Sequence, residues 1–384
     1  MRIPLKKVQQ IVNNDRLILV YYLVFSVFVF AYSCRNPELN WDLIPYVASA
    51  KALETNDKEQ IHSFTYDHLQ KAVSSSKFQE MTGQNYDYRN TMAMDPRALY
   101  LQLHTYQIRF IYLIFILMLY KAGMDIVFAT YFISALAMFI SIWLIFLICK
   151  ELKIAAGYMA ALPLLALSFG MMSVASLSTP DSLTILGYMI CAYLFIKKRI
   201  ELFIIIPFLS LLRCDVIFFS VFSLLYFIIF SQKRRVLAAV SLLATIFIYW
   251  IDNHYYKYPG WSTMFYLNFV TGPTVYFTAI KKITFMDYTS ALTGGIKRLM
   301  DDKSFLVFFG ISVLFAFLSY AKNQYNKIVT GGLSEMCIFT TISFVYVIVH
   351  FFLFPIAWER FFLGQYLIAT VGLFAVLSNR TSRI

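Results

Sequence analysis

Long apolar runs alternate with short polar connections over most of the chain. Runs long enough, or nearly long enough, to span a bilayer cover about 17–33, 126–149, 155–173, 181–196, 236–250, 305–320, 336–354 and 361–378. These runs lack the polar outer face that a helix in water needs, and none shows the short alternation of a membrane barrel strand. The stretch 200–230 is also apolar, but Arg213, Cys214 and Asp215 interrupt it. Basic clusters flank it, Lys197–Arg199 before and Lys233–Arg235 after, so it reads as a helical hairpin turning near Arg213. The pattern predicts an all-α polytopic membrane protein with about ten spans. The first run follows Arg2, Lys6, Lys7 and Arg16 and lacks a small-residue cleavage site, so it reads as a retained anchor.

Charge sets the topology. The run 108–120 is short. Counting it as a span would place the two basic clusters outside, whereas treating it as an interfacial or half-buried helix puts every cluster on one side. The inner segments 1–16, 150–154, 197–201, 231–235, 321–335 and 379–384 then hold 16 Lys/Arg against 4 Asp/Glu, and the remainder holds 17 against 17. The whole net charge of +12 lies on the inner face. It reports topology and contact with anionic lipid, and it calls for no nucleic acid partner. Two large outer segments follow, about 34–125 and 251–304. The organisation expected is a module over 1–250, with seven spans and the outer loop 34–125, then the loop 251–304 and a three-span C-terminal module. Sixty per cent of residues are apolar, 18% aromatic and 14% charged, which agrees with the membrane class. The five cysteines show no metal-type spacing and suit packing.

The polar residues that interrupt this pattern gather on the outer side. Asp42 opens the first loop, and Asp181 begins the fourth span. Arg213 and Asp215 mark the hairpin tip, and Glu359 and Arg360 precede the last span. Ionisable groups at the hydrocarbon boundary cost a few kcal/mol, so they are usually paired or functional. Structural explanations exist for each. Asp42 would suit an N-cap for 44–53, and Asp181 the first turn of a helix after Pro180. Arg213 would pair with Asp215, and Glu359 and Arg360 would anchor at the interface. Histidines 62, 68, 104 and 254 read as polar surface, and His350, inside a span, as a core hydrogen bonder. The sequence holds no P-loop, glycine-rich nucleotide fingerprint, G-x-S-x-G elbow or H-E-x-x-H. The short inner loops leave no room for a nucleotide-sugar domain, so an activated substrate must arrive through the membrane.

In order and sidedness these residues resemble the GT-C superfamily of membrane glycosyltransferases over nearly the whole chain. Asp42, Tyr46 and Ala48, followed by Ala50-Lys51-Ala52-Leu53, are similar to the acidic motif and helix of that family's first loop. The stretch 144–161, with Lys150-Glu151-Leu152-Lys153, looks like its second-to-third span connection. Pro180-Asp181-Ser182-Leu183 resembles the acid of its second outer loop. Leu211-Leu212-Arg213-Cys214-Asp215 looks like a Leu-x-Arg-Pro-Asp turn with cysteine in place of proline. Glu359-Arg360-Phe361-Phe362-Leu363 resembles a late Arg-[Tyr/Phe] motif. The first loop has no paired acids, and no large C-terminal soluble domain is present, which sets the chain apart from oligosaccharyltransferases.

The resemblance implies a GT-C-like bundle with interfacial helices in its first loop. It also implies inverting transfer of one sugar from a polyprenyl-phosphate donor to a glycan, lipid or protein acceptor. Asp42 would take the acceptor proton. Arg360 first, and Arg213 second, would meet the departing phosphate. The scheme requires no cofactor. A divalent metal held by Asp42 and Asp181 is an alternative way to meet the phosphate. Asp181, Asp215 and Glu359 would support the site, and Trp41, Tyr46 and Trp358 would stack on sugar faces. The expected setting is a bacterial inner membrane, with both termini cytoplasmic and the active face periplasmic. A flippase or transporter of lipid-linked sugars, a polysaccharide polymerase or ligase, and a non-enzymatic scaffold are the rival classes. The first of these would show mid-span charges and repeat symmetry, and neither is found.

Overall fold

The computed structural model describes residues 15–83, 86–275, 282–325, 332–356 and 358–381. Arg2, Lys6 and Lys7, which carry part of the inner charge in the sequence reading, lie outside the described residues, as do residues 382–384 and Ala357. The described chain is helical, and its one strand-like contact is an isolated backbone bridge between Glu38 and Leu177. Apolar runs become helices because hydrocarbon offers the backbone no other hydrogen-bond partners.

Five described helices are long and apolar enough to cross a membrane: Asp15–Arg35, Ile126–Glu151, Gln232–Tyr255, Ser334–Leu353 and Glu359–Ser378. A sixth crossing would be the pair Phe285–Asp301 and Lys303–Ser319, bent by 85° at its break. The expected count of about ten is not confirmed by length and apolarity; the remaining runs form shorter apolar helices, Asp181–Ile196 among them, and particular residues shorten some of these. The run 155–173 is broken by Gly170, in the left-handed region at φ +80°, into Ala156–Ser168 and Met171–Ser176. The run 200–230 is a hairpin of short pieces. Its first arm passes through Pro207 as a 3-10 helix, and its second is Ile217–Phe230. The helix Phe110–Lys121, which the sequence reading does not count among the ten spans, has 12 residues. At 1.5 Å per residue it is about 18 Å long, short of the roughly 30 Å hydrocarbon core.

The helices share one large core. Asp181–Ile196 packs between Ile126–Glu151 and Glu359–Thr381. Tyr188, Phe195, Phe219, Phe339 and Tyr366 fill the space around it. A second core lies under the first loop. The helix Leu43–Lys51 buries one residue after another from Leu43 to Ala50, against Ile61, Leu69, Leu99, Tyr112 and Ile126. The loop helices around it are locally well specified. Asp57 caps Lys58–Ala72 by accepting from Gln60 N–H, Ser74 caps Ser75–Thr82, and Asp95 caps Pro96–Gln102. The expectation of a helical first loop agrees with this arrangement.

The basic connections cluster at one end of the bundle. Lys150 pairs with Asp15 at 2.8 Å, Lys197 with Glu151 at 2.5 Å and Lys198 with Glu335 at 2.7 Å, while Arg234 donates to the Lys198 carbonyl. The sequence reading put all of these segments on one face. At the opposite end the first loop meets the turn before Asp181, where Glu38 N–H donates to the Ser176 carbonyl at 2.9 Å.

Candidate active site

Asp42 stands at the N-terminus of the helix Leu43–Lys51, yet its carboxylate accepts no capping hydrogen bond from that helix. Its shorter bonds go to tertiary partners, and the local Asn40 Nδ2 donates to Oδ2 at 3.5 Å. Oδ2 receives Arg360 Nη1 at 2.8 Å, and Oδ1 receives the Tyr106 hydroxyl at 3.0 Å. Local capping therefore does not explain this acid. Arg360 lies in the first turn of the helix Glu359–Thr381, 318 residues away along the chain. Burial first, and the Asp42 charge second, push the Tyr106 phenol well above its ordinary range, so it remains a donor. Tyr46 packs edge-to-face on both Tyr106 and Tyr112, with 5.1 Å between ring centroids in each case. This stack holds the wall behind Asp42.

From Arg360 a line of alternating charges runs into the bundle. Arg360 Nε lies 3.9 Å from Asp181 Oδ2, and Asp181 Oδ1 lies 2.5 Å from Arg213 Nη1. Arg213 then holds Asp215 through two bonds, Nε to Oδ1 at 3.1 Å and Nη2 to Oδ2 at 2.9 Å. Asp215 Oδ2 also accepts from the Tyr346 hydroxyl at 2.7 Å and meets His350 Nε2 at 3.2 Å. Tyr346 and His350 sit four residues apart on the helix Gly332–Leu353, so one face presents both. Local folding sets each member. Asp181 complements the N-terminal dipole of Asp181–Ile196 and accepts from Thr179 Oγ1 at 2.6 Å. Arg213 is in extended conformation between two 3-10 turns, and its guanidinium lies 4.0 Å from the centroid of Phe361.

The members of this line differ in access. Asp42 and Arg360 line a cavity of about 750 Å³ at the same end of the bundle, together with Trp41, Trp358, Arg89 and Glu359. Arg213 and Asp181 are buried, do not line that cavity, and have each other as partners. Arg213, the second candidate for the donor phosphate, thus has its guanidinium occupied by two carboxylates and a ring. It is placed to position Asp181, which in turn faces Arg360. Tyr46 is similarly covered, at 3% exposure, and offers no free ring for stacking. Trp41 and Trp358 do line the cavity, with Trp358 4.6 Å from the Arg360 guanidinium. Arg360 stands between Asp42 and Asp181, the two acids that the sequence reading offered to a metal. It supplies the positive charge at that point.

Glu359 turns away from the line of charges. It accepts from Ser304 Oγ at 2.5 Å, and its carboxylate lies against the bare α-carbon of Gly170. A methyl group at Gly170 would both overlap that carboxylate and force φ +80° on an L-residue. Gly170→Ala should therefore lower stability by about 1–3 kcal/mol. Thermal unfolding in detergent would check this, and an unchanged midpoint would refute the tight Gly170–Glu359 approach.

Four residues at this end were not singled out from sequence. Tyr106 and Arg89 had no local signal, because their partners are remote or aromatic. Tyr346 could have been found from its spacing to His350 within an apolar run. Ser304 lies at the boundary of the segment 251–304 and the run 305–320, and its partner Glu359 is remote in the chain. Among the described residues no group of three or more His, Cys, Asp or Glu side chains forms a metal cluster. His62 instead approaches the carbonyls of Met92 and Ala93, and His104 that of Tyr256. Comparison with family models, curated proteins and solved structures returned no match.

Proposed function

We propose that this chain is an inverting membrane glycosyltransferase of the GT-C kind, taking a sugar from a polyprenyl-phosphate donor. The observation that carries the reading is the Asp42–Arg360 pair on the wall of a cavity at the end of the bundle opposite the basic connections. In the proposed step an acceptor hydroxyl attacks the anomeric carbon. The bond from that carbon to the phosphate oxygen breaks, the polyprenyl phosphate leaves, and Asp42 takes the acceptor proton. Arg360 balances the charge growing on the departing phosphate.

The pair needs a rearrangement before it reacts. With Arg360 at 2.8 Å on Oδ2 and the Tyr106 hydroxyl at 3.0 Å on Oδ1, both oxygens of Asp42 are occupied. A donor phosphate offers Arg360 a second oxyanion, and Asp181 on its other side keeps the guanidinium tethered while it turns. Donor binding would then free Asp42 for the acceptor. The same reading places the site on the periplasmic face of a bacterial inner membrane and leaves the acceptor as a glycan, lipid or protein. No cofactor enters the scheme.

Purified protein given a radiolabelled sugar on a short polyprenyl phosphate tests this directly. Transfer to an added acceptor, with release of the lipid phosphate and inversion at the anomeric carbon, is the expected result. Movement of intact lipid-linked sugar across a vesicle without transfer would instead make the chain a flippase. Arg360→Ala is expected to weaken binding of the lipid phosphate on the order of tenfold or more, the loss of one charge-assisted contact. Titration with farnesyl phosphate would measure it, and unchanged affinity would remove Arg360 from that role.

A further inference from the structure

Arg89 is the second arginine on the cavity wall, and none of its interactions accounts for its place there. It sits in the first turn of the short helix Asp87–Met94, where a positive charge opposes the helix dipole. Among the described residues it has no carboxylate within ion-pair distance, in contrast to Arg360 and Arg213. Its Nε donates to the Tyr88 hydroxyl at 3.1 Å. Its guanidinium lies 4.2 Å from the Tyr86 ring centroid and 5.7 Å from those of Trp41 and Tyr88. Rings orient a guanidinium but do not neutralise it. The helix that carries it is fixed, since Met92 is buried beneath it and His62 meets its last turn.

The cavity is also polar in a directional sense. Glu38, bonded by Ser173 at 2.6 Å, and Glu359, bonded by Ser304, line it along with Asp302, which caps the helix that follows it. These acids would turn an anion away from their part of the wall and would accept from hydroxyl groups. Trp41 links the two parts: it is next to Asp42 in the chain and within ring-contact range of Arg89. A ligand that fills this cavity would therefore set an oxyanion on Arg89 while presenting hydroxyls to the acids and to Asp42.

We infer that Arg89, oriented by Trp41, Tyr86 and Tyr88, is a binding site for a carboxylate or phosphate group distinct from the one that meets Arg360. The inference rests on the proposed transferase reading only for the source of that group. It is either an acidic group on the acceptor or the second phosphate of a diphosphate donor. Arginine suits both, because its planar fork takes two oxygens at once.

The test is equilibrium binding to purified protein in detergent, with wild type, Arg89→Ala and Arg89→Lys compared after matched elution and helicity confirm folding. The probes are glucuronate and glucose as a charged and a neutral sugar, and farnesyl phosphate and farnesyl diphosphate. Arg89→Ala should weaken at least one anionic probe on the order of tenfold, with partial recovery in Arg89→Lys and no change for glucose or farnesyl monophosphate. Loss confined to glucuronate assigns the group to the acceptor, and loss confined to the diphosphate assigns it to the donor. Equal binding of all four probes by wild type and Arg89→Ala, or no binding of either glucuronate or diphosphate by wild type, overturns the inference. Glucuronate binding that depends on Arg89 in a protein that ignores both farnesyl phosphates would uphold the anion site and discard the transferase reading.

Discussion

Asp42→Asn is expected to lower sugar transfer by about 10²–10⁴-fold, the range that a positioned general base contributes. The amide keeps the size of the side chain and can still accept from Tyr106, so the helix Leu43–Lys51 should keep its place. What is lost is the charge that takes the proton. Donor binding should hold or tighten, because Arg360 loses the carboxylate that engages it at 2.8 Å. Initial rates with labelled donor and a farnesyl phosphate titration on the same preparation separate the two effects. Full transfer activity in the variant would exclude Asp42 as the base. Weakened phosphate binding with normal turnover would give the acid a donor-side role instead.

Arg213→Ala is expected to show the largest stability loss. Arg213 contacts Asp181 and makes two bonds to Asp215, and the relative exposures of the three side chains are 8%, 4% and 20%. Removing the cation leaves Asp181 with Arg360 at 3.9 Å, and Asp215 with Tyr346 and His350, as the remaining partners of two acids in a water-poor space. Breaking a buried pair of this kind costs about 3–5 kcal/mol. A strong fall in thermal midpoint, or failure to accumulate in the membrane, is the expected reading. Arg213→Lys should recover only part of it, since one ammonium cannot reproduce a two-bond fork and a third contact. A stable Arg213→Ala protein with weakened phosphate binding would reverse this assignment and make Arg213 a ligand-binding residue.

The two arginines show how sequence and structure divide the work. Both stand at outer ends of apolar runs, beside an acid, and hydropathy treats them alike. The fold separates them. Arg213 is turned inward by the break between two short helical pieces and is surrounded by Asp181, Asp215 and Phe361. Arg360, at the start of a long helix, reaches the cavity and the first loop. Asp42 is the converse case. Its position before a helix suggested a cap, but its backbone angles and the approach of Arg360 direct its carboxylate elsewhere. Glu359, adjacent to Arg360, points the other way, because successive helical residues lie about 100° apart around the axis.

Hydropathy and charge were enough to establish the helical membrane class and the gathering of basic connections at one end. Those properties follow from a residue's own transfer energy and from its immediate neighbours. The number of full crossings needed the tertiary structure. Gly170 and Pro207 interrupt runs whose average apolarity is continuous. So did the partnership of Asp42 with Arg360, the inward burial of Arg213 and the place of Arg89 among aromatic rings on the cavity wall. Each depends on contacts between segments tens to hundreds of residues apart, and the energy of a charge in such a place is set by what the fold brings beside it.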